Sequence, residues 1–323
     1  MPPRIDLYPI DSDLDLAGLR QVRARPVFIL GLHRSGTTFL YQVLAGSFPV
    51  AVLTSHRVVD YDRLLALHGK GATAAAERRL DELFRSWHMA TRRIDEVPLS
   101  HAMPEEYGWV LRRRAGAFWV SARTAPVLDE ICRKLQYLMP SAAAVLLKNP
   151  WDAGRAQEIL ADLPDSRFIF LRRDPVAIVN SQFRIAKLHG AETDPYLDLL
   201  LEGIPFGRAW MRLQRVLKRT LGASLYDRVA LGHILRNVTS EAGRLEVSWN
   251  ALPPDRRLAL EYEDLVGDPD GTVERVAAFL DLPVRPEPVR PPPRVRDRSL
   301  LPEVAAVQTA FRHRLDRRWF SRS

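Results

Sequence analysis

The stretch PVFILGLHRSGTTFLYQVLAG, Pro26 to Gly46, constrains this chain more than any other. VFIL is a short apolar run of β-formers and reads as a buried strand. GLHRSGTT then supplies two glycines, an arginine and three hydroxyls. TTFLYQVLAG sets Phe39, Leu40, Val43 and Leu44 on one helical face. Strand, glycine-bearing turn and helix, in that order, aim backbone N–H groups and a helix N-terminus at an anion. A nucleotide loop of the GxxxxGK[ST] kind places a lysine directly after its second glycine. Gly31 and Gly36 have that spacing, but Thr37 stands in the lysine's place and the cation of the turn is Arg34. The loop predicts an anion site built without the lysine that serves a magnesium nucleotide.

Three further strand candidates follow: AVLL (144–147), FIFL (168–171) and LALEY (258–262). Each precedes a helical pattern or a turn, which predicts parallel strands joined by crossover helices. Their unalternated apolar character suits a sheet covered on both faces. Between the first and second strands lie TAAAERRLDELFRSWHMATRR, PEEYGWVLRRR and PVLDEICRKLQYLM, each with period-3.6 apolar spacing, and a second helical block runs from Tyr196 to Trp249. VRPEPVRPPPRVRDRS (284–299) reads as an extended strap. The expectation is one α/β domain over residues 1–323, a three-layer P-loop-like fold with a central parallel sheet and two helical insertions. An N-terminal arm (1–25), the strap and a basic C-terminal helix (300–323) flank it.

Composition narrows the partners. Lysine and arginine number 47 against 39 acidic residues, a net charge of +8, which admits nucleic acid, an acidic membrane or an anionic small molecule. RRR at 112–114 and the C-terminal tail supply charge without interleaved aromatics or a reading motif, so a basic nucleic-acid-binding protein is an alternative with no motif behind it. Cys132 is the only cysteine; it allows no internal disulfide and no cysteine metal site, and its amphipathic helix makes it a packing residue. No metal site is expected. MPPRIDLYPIDSDLDLAG carries acidic residues where a signal peptide needs a basic and then an apolar stretch. No apolar run approaches the length of a membrane span. A cytoplasmic protein is expected.

Two more stretches carry chemistry. LLKNPWDAGRAQEILADLPDSRFIFLRRDPVAIVNSQF contains a strand ending in Lys148, a helix, and a strand followed by Arg173, with Ser181 two turns into the next helix. Strand C-termini are where open α/β sheets bind ligands, and an arginine and a hydroxyl so placed can clamp a second phosphate. Asp174 and Pro175 fit a helix N-cap and first turn. LALEYEDLVGDPDG brings Tyr262 to a strand end, where it either stacks on a base or fills the sheet edge.

In order and separation these stretches resemble the sulfotransferases that use 3′-phosphoadenosine-5′-phosphosulfate (PAPS), over Pro26 to Pro283. GLHRSGTTFL looks like the family's 5′-phosphosulfate loop, in the version whose cation is arginine, as in tyrosylprotein and many bacterial members. The resemblance implies that Arg34, Ser35, Gly36, Thr37 and Thr38 contact the 5′-phosphosulfate. LRRDPVAIVNS is similar to the 3′-phosphate motif and implies the same for Arg173 and Ser181. LKNP is like a bacterial motif that sets Lys148 near the transferring sulfonate, and EYEDLVGDP implies Tyr262 beside the adenine. The missing loop lysine then has a reason: a sulfonate carries less negative charge than a phosphoryl group, so loop amides and one cation serve in place of a lysine and Mg²⁺. A small-metabolite P-loop kinase, the other alternative, needs that lysine.

The expected reaction is sulfonate transfer from PAPS to a hydroxyl, or an amine, of a small molecule or glycan, releasing adenosine 3′,5′-bisphosphate (PAP). Arg34 and Lys148 are expected to stabilise charge on the bridging oxygen. Two departures from the family stand out. Pro150 occupies the position where cytosolic animal members carry a histidine, and their glycine-rich 3′-phosphate segment has no match in RPPPRVRDRSLLP. Arg290, Arg294 and Arg296 of the strap are candidates for the missing contacts; the alternative is a solvated linker. For the acceptor's base, His56 lies seven residues after Pro49, where tyrosylprotein sulfotransferases carry a catalytic glutamate, just past the run VAVL. Glu105 and Glu106 are its rivals; many bacterial members share the Pro-Glu-Glu segment, which implies residues that line the acceptor pocket or start a helix. Trp87, Trp109, Trp119 and Trp210 either wall an apolar acceptor site or pack in the core.

Overall fold

The computed structural model describes residues 9–92, 97–189, 194–202, 222–289 and 299–315, with single residues at 204, 216, 220 and 291. A five-stranded parallel sheet organises the chain, in the order β2-β3-β1-β4-β5. Its strands are β1 (Pro26–Leu30), β2 (Val50–Val52), β3 (Ala144–Lys148), β4 (Arg167–Arg172) and β5 (Arg257–Glu261). The four runs read as strands are all present. The fifth, β2, comes from the VAVL run: three residues at an edge, registered Val50–Ala144 to Val52–Leu146, are too short to announce themselves by pattern. Tyr262 falls one residue past β5 and opens a helix.

Every residue of β1 and β3 is buried. Phe28 and Leu30 join the core on one face, and Val27 and Ile29 join the core on the other. Two covered faces remove the polar alternation of a half-exposed sheet.

Helices described are α1 (Asp13–Gly18), α2 (Thr37–Ser47), α3 (Ser55–Val59), α4 (Leu64–Gly69), α5 (Thr73–Ser86), α6 (Gly108–Ala115), α7 (Ala125–Leu138), α8 (Ala156–Asp162), α9 (Pro175–His189), α10 (Pro195–Leu200), α11 (Ala223–Asn250), α12 (Tyr262–Gly267), α13 (Pro269–Leu280) and α14 (Pro302–Leu315). The helix α9 starts as its sequence dictates. The Oδ1 of Asp174 accepts from the Val176 N–H at 3.0 Å, with Pro175 in the first turn. Cys132 is buried in α7. The described part of the strap crosses the end of α2, where the Val289 N–H donates to the Gly46 carbonyl at 3.2 Å. A Cβ on Gly46 would stand 1.7 Å from the Val289 oxygen, so only glycine admits the crossing. Residues 1–8, 292–298 and 316–323, with Arg290, Arg294 and Arg296 of the strap, lie outside the described residues. Among the described residues no helix is long and apolar enough to cross a membrane.

The strand order puts β1 between β3 and β4, so the chain leaves β1 for one side of the sheet and later crosses to the other. Ligands of open α/β sheets bind at the carboxyl ends of strands beside such a reversal. The loop after β1, Lys148 on β3, Arg173 after β4 and Tyr262 after β5 all lie at that edge.

Candidate active site

The loop after β1 turns through two left-handed residues, Arg34 at φ 72° and Gly36 at φ 100°. Gly36 caps α2 without a side chain of its own. A Cβ there would meet the Tyr262 ring at 2.3 Å, so the tyrosine lies directly against the turn. The Ser35 hydroxyl is buried and has no hydrogen-bond partner among the described residues. An orphaned hydroxyl beside the N-terminus of a three-turn helix suits an anionic oxygen better than it suits an empty cradle.

Arg173 ties the loop to the neighbouring strands. Its Nη1 donates to the Arg34 carbonyl at 2.8 Å, and its guanidinium sits 4.2 Å from the centroid of the Tyr262 ring. The Arg34 Nε donates to the Ser181 hydroxyl at 3.1 Å, and the Gln182 amide donates to the His33 carbonyl at 2.9 Å. The two clamps that read as distinct in sequence therefore share a wall: Ser181, from the second motif, holds the arginine of the first.

Lys148 ends β3 with its ammonium buried. The Nζ donates to Glu106 Oε1 at 2.6 Å and to Thr38 Oγ1 at 3.0 Å. Its strand end is held from behind by Asp152, which accepts from the Tyr107 hydroxyl, the Asn149 amide and the Val120 N–H, each at 2.7 Å. Burial raises the Asp152 carboxyl to about 6 against those hydrogen bonds. Glu106 is pushed up by burial, but Lys148 and His33 outweigh this and hold it below the ordinary glutamate value. Burial leaves its neighbour Glu105 raised, against the pull of the salt bridge from Arg92.

One cavity of about 300 Å³ joins these parts, lined by Arg34, Gly36, Thr37, Thr38, Lys148, Arg173 and Tyr262 and by Glu105 and Glu106. Trp109 lines it too, as do three residues the sequence reading passed over: His33, Arg92 and Trp151. His33 sits inside GLHRSGTT itself, and its ring meets Trp151 edge-on at 4.9 Å. Burial lowers its pKa against the pull of Glu106. Its place next to Arg34 was the available signal. Trp87 instead packs on Phe84, Trp119 is exposed, and Trp210 lies outside the described residues.

His56 requires a correction. It lies on α3, 1% exposed, and is absent from the cavity wall. Its Nε2 faces Asp60 Oδ2 at 3.5 Å, and burial, with Arg57, His101 and Arg79 nearby, lowers its pKa to about 4. Counting from Pro49 missed because the strand β2 and the cap of α3 consume the interval and turn the side chain inward. The Pro-Glu-Glu segment does not start a helix either. Pro104 bridges Thr54, and the Glu105 N–H donates to the Leu53 carbonyl at 2.8 Å, so both carboxylates precede α6 on an extended segment. His56→Ala should leave kcat of the folded enzyme within about threefold of wild type while lowering Tm as a core deletion does. A loss of a hundredfold in a variant of native fold would return the role to His56.

A model of the sulfotransferase family matches residues 26–286. The omega-hydroxy-beta-dihydromenaquinone-9 sulfotransferases Stf3 of Mycobacterium bovis and Mycobacterium tuberculosis are each 25% identical over 289 residues, 80% of this chain. The chain spans 63% of the length of those relatives. Among solved structures, the sulfotransferase STF9 from Mycobacterium avium aligns with a TM-score of 0.57 at 17% identity, over 94% of this chain and 79% of its own. STF1 from Mycobacterium tuberculosis aligns at 0.55 and 15%, over 92% and 78%. A family match over most of the chain, on a fold shared with solved sulfotransferases, leads to one conclusion: the chain belongs to the sulfotransferase family.

Proposed function

We propose that residues 1–323 act as one PAPS-dependent sulfotransferase domain, moving a sulfonate to the hydroxyl of a small-molecule acceptor and releasing PAP. The observation that carries this reading is the meeting of the Arg34 loop, the Lys148–Glu106 pair and the Arg173–Tyr262 stack around one cavity. The omega-hydroxy group in the relatives' name supports a hydroxyl over an amine. A kinase would want a lysine at position 37, where this chain has threonine.

When bound, PAPS supplies an activated sulfonate and a phosphate leaving group. The loop amides, the Ser35 hydroxyl and Thr37 would hold the 5′-phosphosulfate, with Thr38 between it and Lys148. Arg34, held by Ser181, would add its charge to the 5′-phosphosulfate; Ser181 and Arg173 would hold the phosphate on the ribose, and Tyr262 the adenine. Lys148 would place positive charge where the bridging oxygen becomes negative, an electrostatic contribution that is usually the largest. Glu106, kept ionised by Lys148, would take the acceptor's proton on its carboxylate. Glu105, raised by burial and engaged by Arg92, would fix the segment on which Glu106 stands.

Thermal shift tests the donor site. PAP should raise Tm by mass action, and adenosine 5′-phosphate should do so much less. Arg173→Ala should abolish that preference. Equal shifts with both nucleotides in the wild type would overturn the assignment.

A further inference from the structure

Part of the cavity wall differs in chemistry from the part described so far. Both insertions build it: Val97 and Trp109 from the first, Leu197 and Leu200 of α10 from the second, with Pro150 and Trp151 from the end of β3. Phe118 stacks on Trp151 at 4.6 Å, and Trp109 meets both rings edge-on, so the aromatic wall is backed by further aromatic packing.

The carboxylates among the described lining residues are already engaged by the protein. Glu105 takes Arg92 and the Glu106 N–H. Glu106 takes Lys148. Asp194 caps α10, accepting from the Tyr196 N–H at 3.0 Å and the Leu197 N–H at 3.3 Å. Arg92, the cation of this part, is neutralised by Glu105 and lies 5.9 Å from the centroid of the Tyr196 ring. A sugar entering here would strip water from several hydroxyls against Trp109, Trp151, Val97, Leu197 and Leu200, whose side chains offer no acceptor and at most two indole N–H groups. A buried polar group without a partner costs far more than an apolar one. A charged acceptor would meet ion pairs already closed. A single hydroxyl presented to Glu106, on a body that otherwise wants only to leave water, meets neither cost.

We infer that the acceptor is an uncharged apolar alcohol, with a lone hydroxyl at Glu106 and a hydrocarbon body against Trp109, Trp151, Val97, Leu197 and Leu200. The inference rests on the sulfotransferase reading above and narrows it, setting aside glycan acceptors.

The test is sulfonate transfer from radiolabelled PAPS to straight-chain primary alcohols from butanol to dodecanol, to farnesol, and to glucose and trehalose. The value of kcat/KM should climb by about fourfold per added methylene until the cavity is filled, the full gain from burying one CH₂. Farnesol should be an acceptor, and both sugars should fall at least a hundredfold below decanol. Leu197→Asn, on a half-buried helix face, should cut kcat/KM for decanol tenfold or more, while the Tm shift with PAP stays at the wild-type value and reports an intact fold. A flat alcohol series, a preferred sugar, or a Leu197→Asn enzyme with unchanged decanol kinetics overturns the inference. In the first two cases the sulfotransferase reading stands. A shift with PAP but no transfer to any acceptor also overturns it. No shift with PAP and no transfer at all would overturn the reading beneath.

Discussion

Glu106→Gln should lower kcat by about 10²-fold or more, the usual scale for losing a general base, with PAP affinity changed by no more than a few-fold. The substitution keeps the shape of the side chain and its contact with Lys148 but removes the charge that accepts a proton. The pH profile of the wild type carries the sharper evidence. Lys148 and His33 hold Glu106 below the ordinary glutamate value, so kcat/KM should stay flat through the weakly acid range. It should fall only as pH drops past that lowered value, where the carboxylate protonates and no longer serves as a base. A limb above the ordinary glutamate value but below that of a free histidine, about 6.5, would move the role to His33, the imidazole in the cavity wall whose pKa burial lowers. Near-normal turnover of a well-folded Glu106→Gln enzyme would end the assignment.

Lys148→Ala should cost about 10²–10³-fold in kcat, the range seen when one preorganised donor to a developing negative charge is removed. It should also change the pH dependence, with a sign that follows from the pair. Burial already pushes Glu106 toward its neutral form, and the ammonium at 2.6 Å opposes this. Without Lys148 the burial effect has less against it, so the carboxyl pKa rises and the acid limb moves to higher pH. Activity left in the variant should therefore recover partly on going alkaline. An unchanged limb beside a large loss of kcat would mean that Lys148 acts on the sulfonate alone. A variant with both unchanged would remove it from the site.

Much of the fold was open to reading in the chain. VFIL, AVLL, FIFL and LALE are unalternated because both faces of their sheet are covered, so their burial is written in composition as well as in position. The loop was legible for a related reason. Gly31 is wedged among Ser35, the Leu171 carbonyl and Thr37, with a Cβ there meeting all three within 2.9 Å, and Gly36 needs a positive φ; these local demands leave a local signature. Arg173 and Tyr262 were legible because a residue just past a parallel strand has one place to go, the carboxyl edge of the sheet.

His56 and Glu106 mark the limit. A count from Pro49 reaches the first and the Pro-Glu-Glu segment supplies the second, and both are able bases. What separates them is rotation and register. The short α3 turns the imidazole into the core, while the bridge from Thr54 to Pro104 lays the Glu105–Glu106 segment against the end of β3. That contact joins residues 42 positions apart, Glu106 and Lys148, and no local pattern encodes it. The same holds for the apolar side of the cavity, where Trp109, Trp151 and Leu197 from three separate segments line one space. Sequence by itself determined the sheet, the glycine-bearing loop and the strand-end residues, since each depends on neighbours a few positions away. Only tertiary structure decided which carboxylate meets the lysine and which side chains line the cavity, because long-range packing selects among similar side chains by where it points them.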